Sequence, residues 1–477
     1  MKVCSLVESN MSSFSRERAD SSTESLHKLL EEVEILDTGK SQAQSNKTVL
    51  LTGGAGFIGS HTAQVLLRRG DRVIIVDEMN DYYDVRLKMI NLNLLRDEFG
   101  SSMSPDNDNL PLLSIYRGDI CDVDFISNLF EKERPTHICH LAARAGVRPS
   151  IADPYIYVHS NIEGTTRLLD LSRQYSCKNF VYASSSSVYG CSTNEVLKES
   201  DTVDTPVSPY AASKKACELL AYTFHHIYGL NTTGLRFFTV YGPRGRPDMA
   251  PFKFIDRIST GREIQQYGDG STSRDYTYIS DIVDGVVRSI DRPLGYKVLN
   301  LGNGRPYKLK NFIKLVEGCV GRDAIIELCP DQPGDVERTC ADISNARELL
   351  GYDPQVTFEE GIARTVEWYK ETAPSGIFKP IESLIQQNKS KEPNSNTEMT
   401  ARQQSYPQKA TTGNTSLKKS FRHASDLELS SYVQKAPSQI KNRKERILEA
   451  SILDNCLTDF LDKSKVLGHV QTRKSKV

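Results

Sequence analysis

From residue 47 onward, short apolar runs alternate with longer stretches of helical period. The runs "TVLLTGG", "RVIIVD", "LLSIYRGD", "THICHLAA", "NFVYASS" and "TTGLRFFT" have the length and composition of buried strands. Strands separated by helices imply βαβ units, and hence a parallel sheet covered by helices on both faces. The fold class this predicts is α/β: a Rossmann-type doubly wound sheet. After residue 240 the rhythm breaks into "YGPRGRPDMAP" and "YGDGSTSRDY", with one further strand, "VLNLGN", that can return to the sheet. These segments predict a smaller C-terminal substrate-binding lobe over the edge of the sheet where open α/β folds take ligands.

The pattern divides the chain into four parts. Residues 1–46 are rich in Ser, Glu and Gln and read as a flexible N-terminal arm with one short helical pattern, "LHKLLEEVEIL". Residues 47–240 hold the doubly wound domain, and residues 241–384 mainly the smaller lobe. Residues 385–477 read as a mostly disordered tail. Within the tail, Ile447, Leu448, Ile452, Leu453, Leu457, Phe460 and Leu461 predict one amphipathic helix over 445–462.

Composition narrows the function classes. The 477 residues are 38% hydrophobic and 25% charged, with a net charge of -1 at pH 7, so nothing pulls the chain toward nucleic acid. The ten cysteines show no CxxC pair and no Cys/His spacing of a metal site, so no metal is expected, and reduced thiols of the cytoplasm are. There is no apolar leader and no run of 18 apolar residues, so no membrane association is expected.

The first strand runs into "TGGAGFIGSH". Gly53, Gly56 and Gly59 are spaced GxxGxxG there, and Gly54, Gly56 and Gly59 are spaced GxGxxG. The segment follows a strand, opens a helix and precedes a second strand ending in Asp77, which is the context a dinucleotide site requires. Small residues let the backbone approach a pyrophosphate, and the helix N-terminus supplies N–H donors. A carboxylate at Asp77 would accept from a ribose diol and repel a 2′-phosphate, which favours NAD over NADP. Further along, "SPYAASKKACE" places Tyr210 and Lys214 one helical turn apart on a shared face, where a lysine favours the phenolate of a neighbouring tyrosine and makes the pair a general base.

Taken in order, TGGAGFIG, Asp77, Asp119 in "YRGDI", "HLAARAGVR", "YASSSSVYG" and the Tyr210/Lys214 pair resemble the extended short-chain dehydrogenase/reductases that modify nucleotide sugars. The resemblance covers about residues 47 to 373. Within that group, "DEMNDYYDVRLK", "AARAGVRPS", "LRFFTVYGPRGRPDMA" and "PGDVERTCAD" look most similar to the UDP-glucuronate 4-epimerases. The resemblance implies Ser185 as catalytic serine, with Tyr210 as base and Lys214 as its partner. It implies an NAD site lined by Gly53, Gly56, Phe57, Ile58, Gly59 and Asp77, by Asp119 and Ile120 at the adenine, and by Leu141, Ala142 and Ala143, with Tyr210 and Lys214 at the reacting end. It implies Asn161 as a support of the catalytic region, Arg274 at the diphosphate, Gln332 and Asp335 near the nucleotide, and Phe252 and Lys253 at the sugar lobe. It also implies a homodimer formed through the stretches around residues 153–176 and 208–228, and a UDP-sugar substrate.

The serine run narrows the reaction. Related dehydratases carry Asp-Glu just before "VYG", and related decarboxylases a Glu; Ser186 and Ser187 stand there instead and cannot move protons as those acids do. The site is thus equipped for oxidation and reduction without elimination, and the resemblance implies that the reaction is 4-epimerisation of UDP-glucuronate to UDP-galacturonate with NAD recycled in place. A uronic acid adds one demand: its carboxylate lies β to the 4-keto group and must be held out of line for decarboxylation. Arg246 is the candidate for that task, with Thr239, Ser184 and Ser186, and with Arg148 as a second candidate. The alternatives are a UDP-glucose 4-epimerase, a UDP-glucuronate decarboxylase and a non-catalytic dinucleotide-binding sensor. The histidines, among them His61, His140 and His159, read as structural.

Overall fold

The computed structural model describes residues 47–104, 107–330, 336–373 and 378. The expected N-terminal arm and the expected helix over 445–462 lie outside these residues.

Seven parallel strands form the main sheet: β1 (Thr48–Thr52), β2 (Arg72–Asp77), β3 (Leu113–Arg117), β4 (His137–His140), β5 (Asn179–Ser185), β6 (Thr232–Phe237) and β7 (Tyr296–Leu301). Their order across the sheet is β7-β6-β5-β4-β1-β2-β3. The expected returning strand is β7, which pairs with β6 along its whole length. The order reverses beside β1, so a crevice opens at the carboxyl ends of β1 and β4, where open sheets of this kind bind ligands.

The strands read as unbroken apolar runs because both faces are covered. Val49, Leu51, Val73 and Ile75 point into one core, against α1 (Phe57–Arg68), α2 (Val85–Phe99) and α6 (Ile279–Asp291). Their neighbours Leu50, Ile74 and Val76 point into the opposite core, against α3 (Val123–Glu133), α4 (Gly164–Gln174) and α5 (Pro209–Tyr228). The period of two along each strand separates the two sets.

The start of α5 is written locally. Ser208 caps it by accepting from the Ala211 N–H, Pro209 takes the first position where its missing N–H costs nothing, and Gly229 ends the helix in the left-handed conformation. That start fixes where Tyr210 and Lys214 begin. The stretch just before α4 is a π-helical turn, Val158–Glu163, whose widened backbone carries Asn161 inward.

The smaller lobe has its own aromatic core. Phe254 and Phe312 stack, Tyr276 and Phe358 stack, and Tyr241 meets Phe358 edge-on. Its backbone frame is a three-stranded sheet (Thr239–Tyr241, Ser273–Tyr278, Pro306–Lys308) and a parallel pair (Ile264–Tyr267, Ile326–Cys329). Phe57 of α1 belongs to this core as well, so the glycine-turn helix is packed by both lobes.

Candidate active site

The glycine turn follows directly from β1. Gly53 has a φ of +73°, and a side chain there would place its Cβ 2.7 Å from the Ala142 backbone nitrogen. At Gly59 a Cβ would sit 2.2 Å from the Gly53 carbonyl. Both positions require glycine, one for its backbone conformation and one for the close approach of turn and helix. Gly56 caps α1 without any side-chain hydrogen bond, so no side chain claims the first-turn N–H groups, as a pyrophosphate site needs.

Asp77, at the end of β2, holds its carboxylate beside that turn. Its Oδ2 accepts from the Ala55 N–H at 3.1 Å and its Oδ1 from the Met79 N–H at 2.9 Å. The carboxylate is thus oriented by backbone, with lone pairs left for a diol. Asp119 accepts from the Cys121 N–H at 2.8 Å and meets His159 Nε2 at 3.1 Å. Burial pushes the Asp119 carboxyl up, but these hydrogen bonds outweigh it and hold the pKa below the ordinary carboxylate value. The hydrogen bond to Asp119 in turn raises the pKa of His159. His140 fits the structural reading: it is clamped between the Thr52 and Thr165 hydroxyls, and burial followed by the charge of Lys214 lowers its pKa to about 3.

One cavity runs over the carboxyl ends of the strands. Its wall includes Gly53, Gly56, Phe57, Ile58, Gly59, Asp77, Asp119, Ile120, Leu141, Ala142 and Ala143, and also Ser185, Tyr210, Lys214 and Arg246. Every residue expected at the cofactor therefore lines the same cavity as the expected catalytic trio. Lys214 is buried and donates from Nζ to the Ala183 carbonyl at 2.8 Å, which pins the ammonium above the end of β5. Tyr210 packs edge-on to Tyr157, with ring centres 6.1 Å apart. Asn161 donates to the Ser213 hydroxyl at 2.9 Å and to the Arg144 carbonyl at 3.0 Å, tying α5 to the loop after β4.

The four serines separate. Ser185 donates from its hydroxyl to Ser187 Oγ at 3.1 Å and accepts from the Ser187 N–H at 3.2 Å, so Ser187 orients it. Ser184 is only 2% exposed and donates to Glu218 Oε1 at 2.7 Å, on the α5 face of the strand. Its hydroxyl is thereby held by Glu218, although the residue also lines the cavity beside Ser185. Ser186 stands in the short 3-10 turn Ser186–Tyr189 and does not line the cavity.

Other expected substrate residues lie elsewhere. Phe252 is buried in the lobe core against Trp368, Tyr369 and Phe378, because its position on the helix Ala250–Ser259 faces inward; it packs there and does not line the cavity. Lys253, the next residue, is exposed. Arg148 lays its guanidinium over the Tyr267 ring, 5.1 Å from its centre, and Arg274 donates to the Ser273 and Glu337 carbonyls. Neither they nor Thr239 line this cavity. Gln332 and Asp335 lie outside the described residues.

Arg246 does line it, together with residues the sequence reading did not single out: Glu78, Asn80, Tyr82, Tyr83, Lys88, Arg144, Ser160, Phe237 and Met249. Arg246 donates from Nε and Nη2 to the two oxygens of Asp248 at 3.0 and 2.6 Å, and its guanidinium lies 5.2 Å from the centre of the Tyr82 ring. Burial disfavours its charge, but the bonds and charge of Asp248 more than offset this and raise its pKa. Tyr82, Tyr83 and Lys88 come from "DEMNDYYDVRLK", directly after Asp77; the segment marked the family, but no periodicity in it marked which side chains face the cavity.

The family profile described as GDP-mannose 4,6 dehydratase matches residues 50–365. The chain belongs to this family of extended short-chain dehydrogenase/reductases. Among curated members, the UDP-glucuronate 4-epimerase of Thermodesulfobacterium geofontis is 44% identical over 323 residues, spanning 68% of this chain and 96% of that protein. Among solved members, the UDP-glucuronic acid 4-epimerase of Bacillus cereus, in complex with UDP-glucuronic acid and NAD, superposes with a TM-score of 0.62 at 32% identity, covering 68% of this chain and 99% of the other. The UDP-glucose 4-epimerase of Thermotoga maritima with UDP-glucose gives 0.61 at 32% identity, with 68% and 99% covered. Among the described residues, no helix of this family member is long and apolar enough to cross a membrane.

Proposed function

We propose that this chain is an NAD-dependent UDP-glucuronate 4-epimerase, converting UDP-glucuronate to UDP-galacturonate through a 4-keto sugar. The observation that carries the reading is the single cavity in which the glycine turn, Asp77, Ser185, Tyr210, Lys214 and Arg246 meet. The names of the relatives support the same reaction. NAD, when bound, supplies the hydride acceptor and donor. Tyr210 takes the proton of the sugar 4-hydroxyl, with Lys214 one turn along the same helix, and returns it at the end. Ser185, oriented by Ser187, donates to the oxygen that becomes the ketone. Neither Ser186 nor Ser187 can act as the acid that elimination needs.

Arg246 is our candidate for the carboxylate at carbon 5. Asp248 occupies its Nε and Nη2 edge, so Nη1 would meet that group. For Arg246→Ala we expect kcat/KM for UDP-glucuronate to fall by about 10- to 100-fold, the scale of one hydrogen bond to a charged group, and UDP-glucose turnover to fall much less. Equal losses on both sugars would remove the role. For the function as a whole, purified protein given UDP-glucuronate is expected to make UDP-galacturonate without net NADH. Carbon dioxide and UDP-xylose as main products would overturn the reading.

We further propose that the enzyme is a cytoplasmic homodimer. The cysteines of the described residues are free thiols, which suits a reducing compartment. Tyr155 is 83% exposed, and Ile151, Val158, Leu219, Tyr222, Ile227 and Tyr228 are exposed with it, on the stretch entering α4 and on α5. Apolar surface of this kind suits burial against a second copy of the chain. Sedimentation equilibrium is expected to give twice the chain mass, and Tyr155→Glu combined with Leu219→Glu to shift it to the monomer. A wild-type chain that sediments as a monomer would refute the dimer.

A further inference from the structure

Glu78 and Arg144 are 66 residues apart in the chain, yet Arg144 Nη2 donates to both Glu78 oxygens, at 2.8 and 3.0 Å. The sheet explains the meeting. Glu78 directly follows β2 and Arg144 lies shortly beyond β4, and these strands flank β1, whose end runs into the glycine turn. The ion pair therefore spans about two strand spacings, roughly 10 Å, across the crevice in which that turn lies. Both residues line the cavity.

Each end of the bridge is anchored. Asn161 holds Arg144 on both sides, accepting from its N–H at 2.8 Å and donating to its carbonyl at 3.0 Å. Glu78 Oε2 also accepts from Asn80 Nδ2 at 3.1 Å. The guanidinium is nevertheless incompletely satisfied: the Arg144 Nε–H is buried and finds no acceptor in the protein. A buried donor left without a partner is costly, so the bidentate pair with Glu78 is what holds the guanidinium in this position.

We propose that the Arg144–Glu78 ion pair is a strap over the bound dinucleotide, and that it slows cofactor release between turnovers. An enzyme that returns every hydride to its own product gains from never exchanging its cofactor. The inference rests on the NAD part of the reading above and is independent of which sugar is used.

The test measures release, without sugar. Full-length protein loaded with radiolabelled NAD is chased with excess unlabelled NAD, and retained label is followed in time. For Arg144→Gln, release is expected to be about tenfold faster or more, from the loss of the charged pair across the crevice. For Glu78→Gln, whose side chain is 41% exposed, about two- to fivefold is expected. Raising salt from about 0.05 to 0.5 M should speed release more in wild type than in Glu78→Gln, because only wild type keeps the half-exposed ion pair to be screened. Reversing the pair, Glu78→Arg with Arg144→Glu, should bring release back toward the wild-type rate if closure of the crevice matters. Glu78→Gln releasing at the wild-type rate with unchanged salt dependence would overturn the strap even if the arginine variant failed to fold. A wild-type chain that retains no NAD at all would overturn the cofactor reading with it.

Discussion

Replacing Tyr210 with Phe lowers turnover by about 10²- to 10⁴-fold, the range that loss of a positioned general base covers, while NAD stays bound. The phenol is the one group in the cavity placed both on the catalytic helix and one turn from a lysine. The variant removes only an oxygen, and the packing against Tyr157 is through the ring, so the fold has no reason to change. Lys214 keeps its bond to the Ala183 carbonyl. The change should therefore fall on kcat, with little effect on the KM for the sugar nucleotide or on the retained NAD. Single-turnover assays with UDP-glucuronate and a count of bound NAD per chain check both halves. Turnover within about tenfold of wild type would exclude Tyr210 as the base.

Replacing Glu218 with Leu destabilises the protein by about 3–5 kcal/mol, because one partner of a buried ion pair is removed and the other stays. Glu218 and Arg236 are both buried, and Arg236 donates to the two Glu218 oxygens from Nε and Nη2 at 2.8 and 2.9 Å. Burial alone would lower the Arg236 pKa; hydrogen bonds and charge from Glu218 raise it instead, so this carboxylate offsets the cost of burying the guanidinium. Arg236 Nη1 already lacks a partner, and Ser184 would lose its acceptor too. Urea unfolding monitored by circular dichroism reads the loss. The double change Glu218→Leu with Arg236→Met should recover much of it, since neither charge is then stranded. A double variant as unstable as the sum of its parts would show that packing, and not the orphaned charge, sets the cost. The same variant bears on activity, because Ser184 precedes Ser185 and the ion pair secures the end of β5.

The elements were legible wherever the signal is local. The continuous apolar runs became strands with both faces covered, since a parallel sheet between two helix layers has no polar face to encode. Even the returning strand "VLNLGN" could be read, because Val298, Leu299 and Leu301 are all apolar and β6 was still open on one side. The glycine turn and Asp77 were legible because a strand, a turn and a helix start within one short segment, and Tyr210 with Lys214 because one helical turn separates them.

The serine run shows where local reading stops. Side chains on a strand alternate faces, so neighbouring serines go to opposite sides, and four identical residues carry no mark of which is which. Glu218, far along the chain on α5, holds the Ser184 hydroxyl, and the turn after β5 gives Ser185 its orientation through Ser187. Phe252 was misjudged for a similar reason: an aromatic on a helix suits a ligand or a core equally well until Trp368 and Phe378 are seen against it.

What the sequence by itself determined was the order of strands and helices, the dinucleotide turn and the placement of Tyr210 and Lys214 on one helix face, all set by interactions within a few residues. Only the tertiary structure decided which polar groups reach the cavity and which are consumed by the core, and which distant ones join across it, as Glu78 and Arg144 do. The physical reason is that those choices are made by strand order and by partners tens of residues away, and a linear pattern does not contain the distances between them.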